Sequence, residues 1–178
     1  PRPEAIAAVA ECHAAGITVK MITGDHAVTA GAIAAQIGLH NSARVMTGAE
    51  LDELDDATLT QAALGCNVFA RTSPEDKLRL VAALQANGLS VAMTGDGVND
   101  APALRRADVG VAMGLKGSEA AKEAAELVLA DDNFASIAAA VHEGRRIYDN
   151  LRKVIRFELP TSFGEAAIVV AALLFGLA

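Results

Sequence analysis

Twice in this chain an apolar run gives way to Thr-Gly-Asp and then to a helix-forming stretch. The first instance is Ile17–Ile22, Thr23-Gly24-Asp25 and Ala27–Ile37; the second is Ser90–Thr94, Gly95-Asp96-Gly97 and Val98–Ala107. Buried strands that end in a glycine-relaxed turn and feed a helix are the repeating unit of a parallel α/β sheet. The rest of the pattern agrees: helix Pro3–Ala15, a variable acidic segment Gly48–Leu64, strand Asn67–Ala70, helix Pro74–Asn87, strand Val109–Met113, a short helix near Ser118–Ala125 and strand Leu127–Leu129. The expected fold is α/β, a Rossmann-like doubly wound parallel sheet, followed from Ala135 by one long helix.

Loops at the carboxyl ends of strands in such a sheet are where ligands bind. The second loop sets Asp96, Asn99 and Asp100 on a turn that Gly95 and Gly97 keep open, and these are the hard oxygen donors that Mg²⁺ prefers. The alternative is a solvated turn with an Asp cap. In the first loop, Thr23 and the backbone N–H groups that open the next helix suit phosphate oxygens; otherwise Thr23 is a plain strand-end hydroxyl. Lys77 adds a separate argument. Ser73-Pro74-Glu75-Asp76 reads as a helix start, so Lys77 sits near the first turn, where the helix dipole disfavours a cation. It also lines up with Val81 and Leu84 in the apolar stripe. An inward ammonium there needs an anion, unless it snorkels to water.

These residues resemble, in order and spacing, the phosphorylation domain of P-type (E1-E2) cation-transporting ATPases, a haloacid-dehalogenase-like fold. The matching segments are Thr23-Gly24-Asp25, Ala70-Arg71-Thr72-Ser73-Pro74-Glu75-Asp76-Lys77 and Thr94 through Leu104. Asp131-Asp132-Asn133-Phe134 and Gly144 through Asn150 resemble the family's link into the stalk and fifth membrane helix. The resemblance implies that Asp96 coordinates Mg²⁺, that Asn99 and Asp100 support the phosphate and metal, that Lys77 neutralises the phosphoryl group, and that Thr23 and Gly24, with Asp25 beside them, contact it. It implies Mg²⁺ and ATP as cofactors. It implies as partners the nucleotide-binding, actuator and membrane parts of the same pump, a transported cation and the lipid bilayer. The catalytic part is then cytoplasmic and the intact protein membrane-embedded.

The family's nucleophile is the Asp of an Asp-Lys-Thr-Gly-Thr segment, and these residues contain none. The chain therefore reads as a piece, with no initiator Met or signal peptide at its start. Alone it is expected not to turn over ATP, because covalent catalysis through a carboxylate requires that carboxylate. Two alternatives stand beside the pump: a soluble phosphatase of the same superfamily, and a non-catalytic piece that binds Mg²⁺ or a partner domain. Dinucleotide binding is excluded, since Gly95-x-Gly97 is followed by Asp100 where a third glycine is required.

The net charge of −7 and the absence of a basic stripe with stacking aromatics argue against nucleic acid. Cys12 and Cys66 stand in unrelated segments and give neither disulfide nor zinc spacing, and His13 beside Cys12 reads as an ordinary helix residue.

The expected organisation is 1–134 as the phosphorylation domain, 135–158 as a stalk helix and 159–178 as a truncated membrane helix. Arg145, Arg146, Arg152, Lys153 and Arg156 precede the apolar run, the pattern of a cytoplasmic flank. Pro160 should free a carbonyl one turn back, with Thr161, Ser162 and Glu165 on one face converging near it. By resemblance Ser162 and Glu165 align with cation ligands of the fifth helix. Calcium-type members carry Asn where Ser162 stands.

Overall fold

A computed structural model describes residues 1–176, and the chain divides into two compact units, the first Pro1–Ala138 and the second beginning at Ala139. The first unit begins with α1 (Pro3–Ala14), β1 (Met21–Thr23), α2 (Ala27–Gln36), β2 (Val45–Thr47), α3 (Gly48–Asp52), α4 (Asp56–Gly65) and β3 (Val68–Ala70). It continues with α5 (Pro74–Ala86), β4 (Ala92–Gly95), a single 3-10 turn at Val98–Asp100, α6 (Ala101–Arg106), β5 (Val109–Met113), α7 (Glu119–Ala124) and β6 (Leu127–Leu129). The last helix, α8, runs from Ala135 to Leu174 and so starts in this unit.

All strand pairs are parallel, and they form two three-stranded sheets ordered β1-β3-β2 and β4-β5-β6. The central strand β3 is buried throughout, and its alternation shows why the sheet is covered on both sides. Phe69 packs with Leu51, Leu59, Leu80 and Leu84, whereas Val68 and Ala70 pack with Val9, Ala30, Ala34 and Leu39. Ile22 and Val91 pack against both the Phe69 cluster and the Met93–Leu104 cluster of the second sheet. Among the described residues no ladder joins β1 to β4, so the two loop-bearing strands are each the outer strand of their sheet. At β5 the helix α6 comes so close that a Cβ at Gly110 would stand 2.6 Å from the Leu104 carbonyl oxygen.

Three elements differ from the sequence reading. The strand expected over Ile17–Ile22 starts at Met21, whose N–H donates to Asn67, the point where pairing with the β3 segment begins. β2 was not anticipated: Val45-Met46-Thr47 is too short for an alternation to register and, unlike Leu127–Leu129, is not a continuous apolar run. The acidic segment is two helices, because Thr47 with Glu50 forms a capping box and Asp55 caps the next helix. Its charges do lie on the solvated side while Leu51 and Leu59 enter the core.

The second unit, Ala139 to the end of the described residues, is helical from Ala139 to Leu174 and is exposed almost throughout. Together with its first turn this helix is long and apolar enough to cross a membrane. Leu177 and Ala178, which end the apolar run read from the sequence, lie outside the described residues.

Candidate active site

The two Thr-Gly-Asp loops are tied together by the segment that leaves β3. The N–H of Arg71 donates to the Asp25 carbonyl at 3.1 Å, and both the N–H and the hydroxyl of Thr72 donate to the Thr23 carbonyl at 3.2 Å. Arg71 adopts a left-handed φ of 54° to make this turn, and its guanidinium meets the His26 ring at the start of α2. Ser73 and Asp76 then cap α5 reciprocally, at 2.7 and 3.1 Å. One residue later the Lys77 ammonium reaches the Asp100 carboxylate at 2.6 Å.

Asp100 organises the second loop. Its Oδ1 takes the Lys77 ammonium, and its Oδ2 accepts from the N–H groups of Asp96 at 3.3 Å and Gly97 at 3.0 Å. Gly95 is needed for this, since a Cβ there would stand 2.5 Å from the Asp100 side chain. Asp100 is only 6% exposed, a burial a carboxylate tolerates when it is paired and hydrogen-bonded this fully. Three donors thus occupy most, but not all, of the acceptor positions of the Asp100 carboxylate.

Asp96 and Asn99, by contrast, are exposed. The Asp96 carboxylate borders a cavity of about 320 Å³ with Arg2, Met113, Lys116 and Asp131. The Asp96 carbonyl accepts from Ser118, which ties in the loop after β5. Thr23 is half-buried, its hydroxyl accepting from the Asp25 N–H at 3.1 Å, and Gly24 and Asp25 are exposed.

Among the described residues no three Asp, Glu, His or Cys side chains gather tightly enough to hold a metal on their own. Mg²⁺ in its usual protein role is held by one or two carboxylates, with phosphate oxygens and water completing the shell. Asp96 is exposed at the edge of the cavity, four residues before Asp100 of the part-buried Lys77–Asp100 pair.

Ser162 and Glu165 lie exposed on α8. The Thr161 hydroxyl donates to the Phe157 carbonyl at 2.8 Å, the ordinary back-bond of a helical threonine to the residue four before it. The linking role of Arg71 and Thr72 and the Ser118 contact to Asp96 were missed. They join loops distant in sequence, largely through backbone groups, and local side-chain patterning carries no trace of them.

The fold and loops thus define an α/β protein built on parallel strands, and the chain belongs to the haloacid dehalogenase-like hydrolase family, whose models match residues 1–108 and 77–141. Over its whole length it is 58% identical to a "Probable cation-transporting ATPase F" of Mycobacterium tuberculosis, of which it covers 20%. It is 52% identical over 99% of its length to a "Calcium-transporting ATPase" of Bacillus subtilis, again covering 20% of that protein. A solved zinc-transporting PIB-type ATPase in an E2.Pi state superposes with a TM-score of 0.72 at 29% identity, over 99% of this chain and 24% of the other. The chain therefore spans about a fifth of the length of the curated relatives it matches.

Proposed function

We propose that this chain is the distal part of the phosphorylation domain of an ATP-driven cation pump, together with the stalk and the start of a membrane helix. The observation that carries the reading is the Lys77–Asp100 pair, which joins the capped start of α5 to a Gly-Asp-Gly-Val-Asn-Asp loop. The full-length similarity to cation-transporting ATPases supports it. So does α8, long and apolar enough to span a bilayer, with basic residues Arg145 to Arg156 ahead of its apolar stretch.

In this reading an aspartate supplied from upstream in the intact protein attacks the γ-phosphorus of ATP. A bond forms from its carboxylate oxygen to phosphorus, and the bond to ADP breaks. Lys77 offsets charge on the transferring group, Thr23 with the Gly24 and Asp25 backbone grips its oxygens, and Asn99 borders it. Asp96 is the carboxylate that holds Mg²⁺, whose chemistry is to neutralise phosphate charge and fix its orientation. Asp100 fixes the positions of Lys77 and of the Asp96 backbone. Because β1 and β4 are both outer strands, there is a free edge beside each loop, where an upstream strand could bring its carboxylate.

The test uses the intact protein. Asp96→Asn should abolish phosphoenzyme formation, measured by radiolabelled acid-stable phosphate, while leaving expression near wild type. Wild-type phosphorylation in that variant would overturn the assignment.

A further inference from the structure

The turn before α8 holds two adjacent carboxylates that face in opposite directions. Asp131 accepts from the Ser136 hydroxyl at 2.7 Å and from the Asn133 N–H at 3.1 Å, while Asn133 Oδ1 accepts from the Ala135 N–H at 3.0 Å. These bonds fix the first turn of α8. Asp132 turns back instead, its two oxygens accepting the N–H groups of Leu115 and Lys116 at 2.9 Å each. It does so from a left-handed φ of 51°, which Asp tolerates better than most residues.

The loop that Asp132 grips is held firmly elsewhere. The Gly114 N–H donates to Leu129 and the Ser118 N–H to Asp96, both at 2.8 Å. A Cβ at Gly114 would stand 2.6 Å from the Leu129 carbonyl oxygen, and one at Gly117 would collide with the Met113 carbonyl. Residues 114–118 therefore have little freedom of their own. They bond to the Asp96 backbone at one end and to the residue three before α8 at the other.

We infer that Asp132 is a positioning residue: it holds the 114–118 loop against Asp96 and carries changes at that loop into the first turn of α8. The physical contact is in the hydrogen bonds themselves. Its use in coupling phosphate chemistry to the long helix rests on the function proposed above. A carboxylate bridging two consecutive N–H groups is a stiff link, because charge-assisted bonds are short and about twice as strong as neutral ones.

Residue-resolved hydrogen exchange on the full-length membrane protein tests both parts. In the wild type, the Leu115 and Lys116 amides should open together with residues 135–138, with the same dependence on denaturant. Independent opening would overturn the link, and this arm needs no variant. Adding Mg²⁺ with beryllium fluoride, a phosphate mimic, should slow exchange in 96–100, 114–118 and 135–138. In Asp132→Asn, which keeps the backbone preference but replaces one acceptor with a donor, slowing should persist at 96–100 and be lost at 135–138. Exchange of Leu115 or Lys116 should quicken about tenfold or more. Slowing at 135–138 that survives in the variant would sink the inference. Leu115→Ala should behave as wild type, since its side chain is exposed and only its backbone takes part. If the phosphate mimic slows nothing at 96–100 in the wild type, the phosphate-site reading fails, while the co-opening measurement still decides the link.

Discussion

Lys77 enters an apolar stripe at the end of a helix that repels cations, a position that costs free energy unless an anion is supplied. Asp100 supplies it at 2.6 Å and is itself buried, so each charge offsets the other's desolvation. The pair is therefore coupled: Lys77→Met leaves a buried carboxylate without its cation and should cost about 1–3 kcal/mol of stability. Asp100→Asn should cost a similar amount, but the double variant should lose less than the sum of the two, because the second change removes the orphaned charge. Urea unfolding of the four proteins checks this, and strict additivity would mean that the two side chains do not interact. Lys77 was legible in the sequence because a charged residue at an apolar position, next to a recognisable helix start, calls for a partner. Which carboxylate it would find was not legible from spacing, since the partner lies 23 residues away.

At the scale of elements, several joints are single carboxylates, and they give the fold a defined response to acid. The Val91 N–H and the Gln85 amide hold the Asp108 carboxyl below its usual range, tying the start of β4 to the end of α5. The hydroxyl and N–H of Thr58 do the same for Asp55 at the cap of α4. Stability from such depressed carboxyls is present above their unfolded values near about pH 4 and is lost as pH falls through the folded ones. His13 acts earlier. Burial, and then the stacked His40 ring 3.8 Å away, hold its imidazole below the usual 6.5. The folded state therefore binds fewer protons there, and stability declines as pH falls below that value. Urea midpoints measured against pH should show two declines: a small one starting near 6.5 and a larger one below about 4. His40→Gln should shrink the first, and Asp108→Asn the second; a flat profile down to about pH 5 would remove His13 from the account. The order of strands and helices was legible because apolar runs, Gly turns and Ser-Pro or Asp caps mark it. β2 and the contacts of Asp132 were not. A three-residue strand has no measurable period, and a side chain that accepts from backbone N–H groups 16 and 17 residues away leaves no local pattern.

For the whole molecule, the proposed pump requires that chemistry at the Asp96 loop and ion binding on the membrane helix be separable sites that influence each other through the intact protein. Glu165 is the ionisable side chain of the apolar stretch after Pro160, and carrying a carboxylate to membrane depth is costly enough that such residues usually have a functional partner. Its removal should then act on the ion and not on the phosphoryl group. In the full-length protein, Glu165→Ala should shift the concentration of transported cation that controls phosphoenzyme level by about tenfold or more, the loss expected for one charged ligand. Phosphorylation from inorganic phosphate without that cation should stay near wild type, because none of the groups around Asp96 is altered. Divalent and monovalent cations are to be tried in turn. An ion dependence unchanged from wild type for every ion that supports turnover would take Glu165 out of the transport path. Loss of phosphorylation from inorganic phosphate would instead make Glu165 a residue on which the whole fold depends.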